Sequence, residues 1–302
     1  MKLSPASKYG LRTVALLYLF VLLVVPVALI FWRSFEHGVG QFWDWITTPA
    51  AISALQLSLL IVVIVVPLNV VFGVATAIAL VRGRFRGRGI VQAIIDLPFA
   101  VSPVVVGVSL ILLWGYGGWF GGIESLGFRV IFGLPGMVLA TIFVTLPFVV
   151  REVEPVLREI GTEQEEAAAT LGAGGWQTFR RITLPAIRWG LTYGVVLTVA
   201  RSLGEYGAVI IVSSGFPGIS QTLTLLVSSR YTDDYNEFGA YAAATLLMFI
   251  ALLVLLAMTL IERRGAVGRV TRSVRRTSDD TPDPTAETLP IDTTAGDKEY
   301  AR

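Results

Sequence analysis

Glu165-Glu166-Ala167-Ala168-Ala169-Thr170-Leu171-Gly172-Ala173-Gly174-Gly175-Trp176-Gln177-Thr178-Phe179-Arg180-Arg181-Ile182-Thr183-Leu184-Pro185 is a polar interruption between two long apolar runs. Glu163 to Leu171 are nearly all strong helix formers, and Gly172 supplies a stop. Thr162 is placed to cap this helix, with Glu165 three residues later completing a capping box. A second amphipathic stretch runs from Trp176 to Ile182, and Pro185 is expected to end it. The segment is too short to cross a bilayer and too ordered in composition for a linker. The expectation is a helix–turn–helix lying on a membrane surface.

The chain on either side is too apolar for a soluble domain, since 54% of its 302 residues are apolar and only 15% are charged. Charge-free windows of 20 residues or more make it an all-α, polytopic membrane protein. The absence of cysteine excludes disulfides and thiolate metal sites. His37 stands alone in a polar connector and reads as a surface imidazole rather than a ligand. A net charge of +2 gives no nucleic-acid footprint.

Six transmembrane helices are expected, over about residues 13–32, 52–81, 90–114, 134–150, 189–212 and 238–261. The first ends on bulky Phe31-Trp32, followed by Arg33-Ser34-Phe35 rather than a small-residue cleavage site, so it reads as a retained span and not a signal peptide. Pro67 and Asn69 in the second suggest a helix facing the protein interior. Asp96, Pro98, Ser102, Pro103 and Gly107 predict a broken third helix. All but six of the 24 Lys and Arg residues lie in the first tail, the loops 82–88 and 151–188, and the juxtamembrane stretch 263–276. That clustering places both termini on the cytoplasmic side of the cell membrane. Residues 277–302 change abruptly to Thr, Asp, Pro, Ala and Glu and are expected to form a disordered acidic tail behind a 1–276 membrane domain.

No hydrolytic machinery is visible: there is no phosphate-binding loop, no paired zinc histidines and no serine elbow. If ATP drives this chain, hydrolysis occurs on another subunit. Ionisable residues inside the membrane carry more weight, since each costs roughly 2.5–3.5 kcal/mol at the bilayer centre. Arg201 and Glu205 are four residues apart, hence expected on one helix face, and Arg201 lies about 18 Å along the helix from Trp189. They read either as a structural ion pair or as a polar lining along an anion path. Asp96 reads as an interfacial or packing residue, because its charge would repel an anion.

The spacing Glu166-Ala167-Ala168, three residues, Gly172, nine residues, Ile182-x-Leu184-Pro185 resembles the cytoplasmic loop of membrane subunits of ATP-binding-cassette (ABC) importers. Ile95 to Pro103, Phe148 to Glu152 and Ala200 to Val209 are similar to the sulfate/thiosulfate branch of that family, in particular to its W-type membrane subunit. The resemblance covers about residues 12–262. It implies a type I importer permease fold and a non-catalytic subunit without a cofactor of its own, with ATP and Mg on a partner ATPase. It further implies a homologous second permease subunit, an ABC ATPase dimer, an extracytoplasmic sulfate-binding protein and contact with membrane lipid. By the same resemblance Glu166, Ala167, Ala168, Leu171, Gly172, Ile182, Leu184 and Pro185 belong to the ATPase-coupling loop. Arg201, Glu205, Ser102 and Pro103 are candidates for the translocation pathway or gate. Molybdate or another oxyanion is the alternative cargo. A secondary anion transporter would share the polar mid-membrane residues and broken helices but should lack a docking loop, while an anion channel and an intramembrane enzyme lack their selectivity ring and catalytic constellation.

Overall fold

The computed structural model describes residues 5–254 together with 256, 257 and 260. The expectations for Lys2, for most of residues 255–276 and for the tail 277–302 lie outside these residues. Among the described residues every regular element is helical.

Helix α1 (Pro5–Leu19), a wide π-type turn (Phe20–Val24) and α2 (Val25–Ser34) form one apolar rod. The wide turn directly precedes Pro26, whose ring would otherwise strike the preceding turn. No residue of the rod's most apolar window is buried against the rest of the described chain. The rod is tied at its far end, where the Ser34 hydroxyl lies 2.6 Å from that of Thr245. After the short α3 (Gly38–Ile46) comes α4 (Pro49–Arg82), with Thr48 accepting from the Ala51 amide and Pro49 in the first turn. Its 34 residues extend about 50 Å, well beyond the roughly 30 Å of hydrocarbon in a bilayer.

The expected third span is two helices, α5 (Arg88–Ala100) and α6 (Pro103–Trp114), meeting at 115°. Pro103 starts α6 and pushes Ser102 into an extended conformation, so the helix cannot run through. One turn of helix, α7 (Gly122–Ser125), precedes α8 (Leu134–Ile160). Then follow α9 (Glu163–Thr170), α10 (Gly175–Thr178), a second wide turn (Phe179–Thr183) and α11 (Leu184–Leu203). The described chain closes with α12 (Val209–Val212), α13 (Leu223–Thr232) and α14 (Glu237–Val254).

Five helical segments are long and apolar enough to cross a membrane, or six if the bent α5–α6 pair counts as one. The boundaries differ from expectation in two places, each for a local reason. Helix α8 continues ten residues past Val150, supported by an ion pair between Arg158 and Glu154 one turn apart. The stretch 189–212 is not one helix: α11 begins earlier, at Leu184, and stops at Leu203, where Gly204 caps it.

Helices α4, α8 and α11 pack on one another and form the centre of the bundle. A Cβ on Gly73 of α4 would lie 2.7 Å from the Val149 Cβ of α8, so the Val149 side chain packs directly on the bare α4 backbone. Deeper in this seam Asn69 is fully buried and donates to the Thr145 hydroxyl at 2.6 Å, as expected for an interior-facing α4. Gly73→Val should therefore lower the thermal midpoint of the detergent-solubilised protein, at a cost of about 1–3 kcal/mol for overpacking. Gly40→Val, which points a side chain into open space, should leave it unchanged.

Candidate functional site

Two places gather the residues singled out from the sequence. The first is the helix–turn–helix between α8 and α11. Helix α9 does not start with the expected capping box. Thr162 has helical rather than extended geometry and its hydroxyl makes no cap bond. The Glu165 carboxylate turns instead toward the bundle, accepting from Arg82 Nε at 2.9 Å and from the Thr183 hydroxyl at 2.8 Å.

The other end of α9 closes as its sequence suggests. Gly172 has φ +84°, its amide donates to Ala169, and the Ala173 amide donates to Ala168, which is the paired closure of a Schellman motif. Pro185 departs from its expected role. It sits in the first turn of α11, where a missing amide costs nothing, and the wide turn Phe179–Thr183 carries the helical path on from Gly175.

This loop brings Ala168, Leu171, Gly172 and Ile182 to one groove of about 360 Å³, together with Gln177, Thr178 and Arg181. Leu171 is 88% exposed and Trp176 73%, although both are apolar. Glu166 and Ala167 are also exposed. Leu184 faces the other way and packs against the central helices, and Pro185 lies outside the groove.

The second place is the break after α11. Arg201 Nη1 lies 2.7 Å from Glu205 Oε2, so the pair forms, but across a helix end rather than along one helical face. The Glu205 side chain is almost completely buried and that of Arg201 is one-third exposed. Glu205 Oε1 accepts from the Ala208 amide at 2.8 Å, and the Glu205 carbonyl accepts from the Thr224 hydroxyl at 2.8 Å. One carboxylate thus serves a guanidinium and a backbone amide that the interrupted helix leaves free. Beside it lies a void of about 10 Å³, lined by Ser58, Thr141, Ser202, Thr222 and Thr224, close to the space one water fills.

Pro103 belongs to the same neighbourhood: a Cβ on Gly207 would lie 3.1 Å from the Pro103 Cβ. A Cβ on Gly107 would meet Ile211 at 2.6 Å. The two helix breaks, at 101–103 and 204–208, therefore adjoin. The Ser102 hydroxyl is exposed and caps nothing. Among the described residues no group of acidic or histidine side chains is arranged to hold a metal ion.

Three cations do more than their sequence context suggested. Arg82 holds Glu165. Arg151 donates to Asp96 at 2.8 Å and stacks on Phe99, joining α8 to α5. Arg230 is buried, donating to the carbonyls of Gly239 and Trp45 and to the Thr48 hydroxyl. Burial lowers its pKa, and the charge of Asp234 opposes that shift. Only the placement of Asp96 as a packing residue gave any sequence signal for these contacts.

Membrane-length helices, adjoining helix breaks and a projecting helix–turn–helix define a transport permease. The chain belongs to the family described as binding-protein-dependent transport system inner membrane component, matched over residues 69–266. Within that class it is 47% identical over 258 residues to the sulfate transport system permease protein CysW of Synechocystis sp., covering 85% of this chain and 93% of that one. It is 35% identical over 253 residues to the CysT permease protein of the same organism, covering 83% and 88%. The fold is that of ABC importer permeases. A bacterial ABC transporter involved in import of the acidic polysaccharide alginate superposes with TM-score 0.71 at 18% identity, covering 85% of this chain and 95% of that one. The bacterial alginate transporter in complex with its alginate-bound periplasmic protein gives TM-score 0.69, also at 18% identity, with 85% and 94% covered.

The burial asymmetry of the Arg201–Glu205 pair sets unequal penalties. Arg201→Gln leaves a buried carboxylate unpaired and should cost about 3 kcal/mol, whereas Glu205→Gln leaves an arginine that the described residues only partly enclose and should cost less. The double variant should be more stable than Arg201→Gln alone, and a double-mutant cycle on detergent melting temperatures should show coupling. Additive effects would mean that the two charges do not depend on each other.

Proposed function

We propose that this chain is a membrane subunit of an ATP-driven sulfate/thiosulfate importer in the cell membrane, of the W type, with both termini cytoplasmic. It forms the anion pathway together with a homologous second permease subunit. The observation that carries the reading is the exposed groove around Leu171 and Gly172, an apolar docking face built on the loop that resembles the ABC importer coupling loop. An exposed leucine beside alanines, with Glu166 at the rim, suits a helix-in-groove contact with an ABC ATPase. The ATPase dimer binds ATP and Mg, and its two states would bias the permease between inward and outward access. An extracytoplasmic sulfate-binding protein delivers the anion. The identity to sulfate permeases over most of both chains supports sulfate as cargo, and the likeness to a transporter solved with a periplasmic protein supports that delivery.

In the pathway Arg201 is the cation beside the break, its charge balanced by Glu205 and one-third of its side chain uncovered by the described residues. If it meets the passing anion, the double variant Arg201→Gln/Glu205→Gln regains stability but not uptake. A purely structural pair would regain both.

Cargo is tested by uptake of labelled sulfate into cells lacking this subunit and complemented with it. Sulfate uptake should return and be competed by thiosulfate more strongly than by molybdate. Stronger competition by molybdate would reassign the chain to the alternative oxyanion reading. Docking is tested by Gly172→Asp and Leu171→Asp. The first forces a side chain into left-handed backbone and adds charge to the contact face. Both should insert normally while ATPase co-purification and uptake fall about tenfold or more, the scale of losing one apolar anchor of an interface. Normal uptake with normal co-purification in both would overturn the assignment of this loop.

A further inference from the structure

The docking helix α9 has only eight residues and none of them is buried. A helix of that length is not stable alone, and packing does not fix its direction. The specific tie runs through Arg82, the last residue of α4. Its Nε donates to Glu165 Oε2 at 2.9 Å. Its Nη1 donates to the Leu157 carbonyl at 3.2 Å, and its Nη2 to the Gly161 carbonyl at 2.6 Å. Leu157 and Gly161 end α8, where the carbonyls carry partial negative charge. The Thr183 hydroxyl, in the turn before α11, shares the Glu165 carboxylate.

One guanidinium therefore joins the end of α4, the end of α8, the start of α9 and, through Glu165, the entrance to α11. Both side chains are mostly shielded from solvent. The planar fork holds these acceptors in a fixed arrangement that an ammonium cannot reproduce. Helix α9 thus presents Glu165 to the bundle and Leu171 to the exterior.

We propose that Arg82 is a positioning residue for energy coupling, which sets the direction of α9 relative to α4 and α8 so that movement at the ATPase reaches the membrane helices. This rests on the reading of α9 as the docking helix. Arg82 does not touch the ATPase in this account. It makes the docked helix rigid with respect to the bundle.

Arg82→Lys is the informative variant, because it keeps the positive charge that governs topology and removes only the fork. Arg84→Lys, in the same loop, is the control. The complete transporter is purified with its ATPase and binding protein and reconstituted in vesicles. Sulfate uptake and ATP hydrolysis are then measured together. Arg82→Lys and Glu165→Gln should retain ATPase co-purification and ATP hydrolysis, while transport per ATP falls about 3- to 30-fold, the range for one residue in a coupling network. Arg84→Lys should match the parent.

This chain has no cysteine, so spin labels placed at Gln164→Cys on α9 and Val63→Cys on α4 are its only labelled sites, and the purified chain is labelled before the complex is assembled. The distance distribution between them, narrow in the parent complex, should broaden in Arg82→Lys. Unchanged transport per ATP with an unchanged distribution would overturn the proposal. Loss of the ATPase from the Arg82→Lys complex would also overturn it, because Arg82 would then be needed for docking rather than for direction. If Leu171→Asp leaves docking and uptake intact, the docking reading fails instead, and the spin-label distances still decide whether Arg82 orients α9.

Discussion

Inside a bilayer a helix cannot simply stop, because no water is present to take up the amides and carbonyls it leaves open. The Glu205 carboxylate meets that constraint for this fold. Helix α11 ends at Leu203, the chain turns, and α12 starts at Val209, with Glu205 accepting the Ala208 amide and balancing Arg201. Its carbonyl, through Thr224, fastens α13 to the same turn. Gly207 and Gly107 then let α6 come against this segment, so the second helix break is stabilised by the first. Without the buried acid, the Ala208 amide would lose its acceptor inside the bundle, at a cost of about 1–3 kcal/mol.

The remaining architecture separates packing from exposure. Helices α4 and α8 approach closely at Gly73 and share a buried Asn69–Thr145 hydrogen bond, and α11 comes against α8 at Gly194. The rod over residues 9–34 and the loop around Leu171 are apolar surfaces that the described residues leave uncovered. Large uncovered apolar surfaces mark contact with lipid or with another protein. The rod has the length and composition for lipid.

Much of the fold was legible because hydrophobic runs and arginine clusters reflect the bilayer directly. The helical class, the five or six membrane-length segments and the break near Pro103 follow from patterns within a few residues of each other. The glycine closure of α9 was equally local. What could not be read depends on partners far apart in sequence. The Thr162–Glu165 capping pattern was present, yet Arg82, 83 positions away, competes successfully for the carboxylate. A charge-assisted contact with a guanidinium outweighs a solvent-exposed cap bond. Glu205 shows the same limit. Its spacing from Arg201 predicted the pair, but Gly204 and the Ala208 amide decide that the helix ends between them. Arg230 carried no signal, since its acceptors are backbone carbonyls of α3 and α14 and the Thr48 hydroxyl.

The length of α8 has a mechanical meaning. Its 27 residues make a rod of about 40 Å, roughly 10 Å longer than the hydrocarbon layer. The end of this rod is where Leu157 and Gly161 meet Arg82. A tilt of about 10° around the midpoint would carry that end sideways by roughly 3–4 Å, given the 1.5 Å rise per residue. The same tilt would move the opposite end, near Gly136, by a similar distance in the other direction. Helix α8 is thus proportioned as a lever. Its midpoint falls near Pro147 and Val149, where the Val149 side chain packs on Gly73 of α4, so a tilt about that contact would carry motion at one end, reversed, to the other.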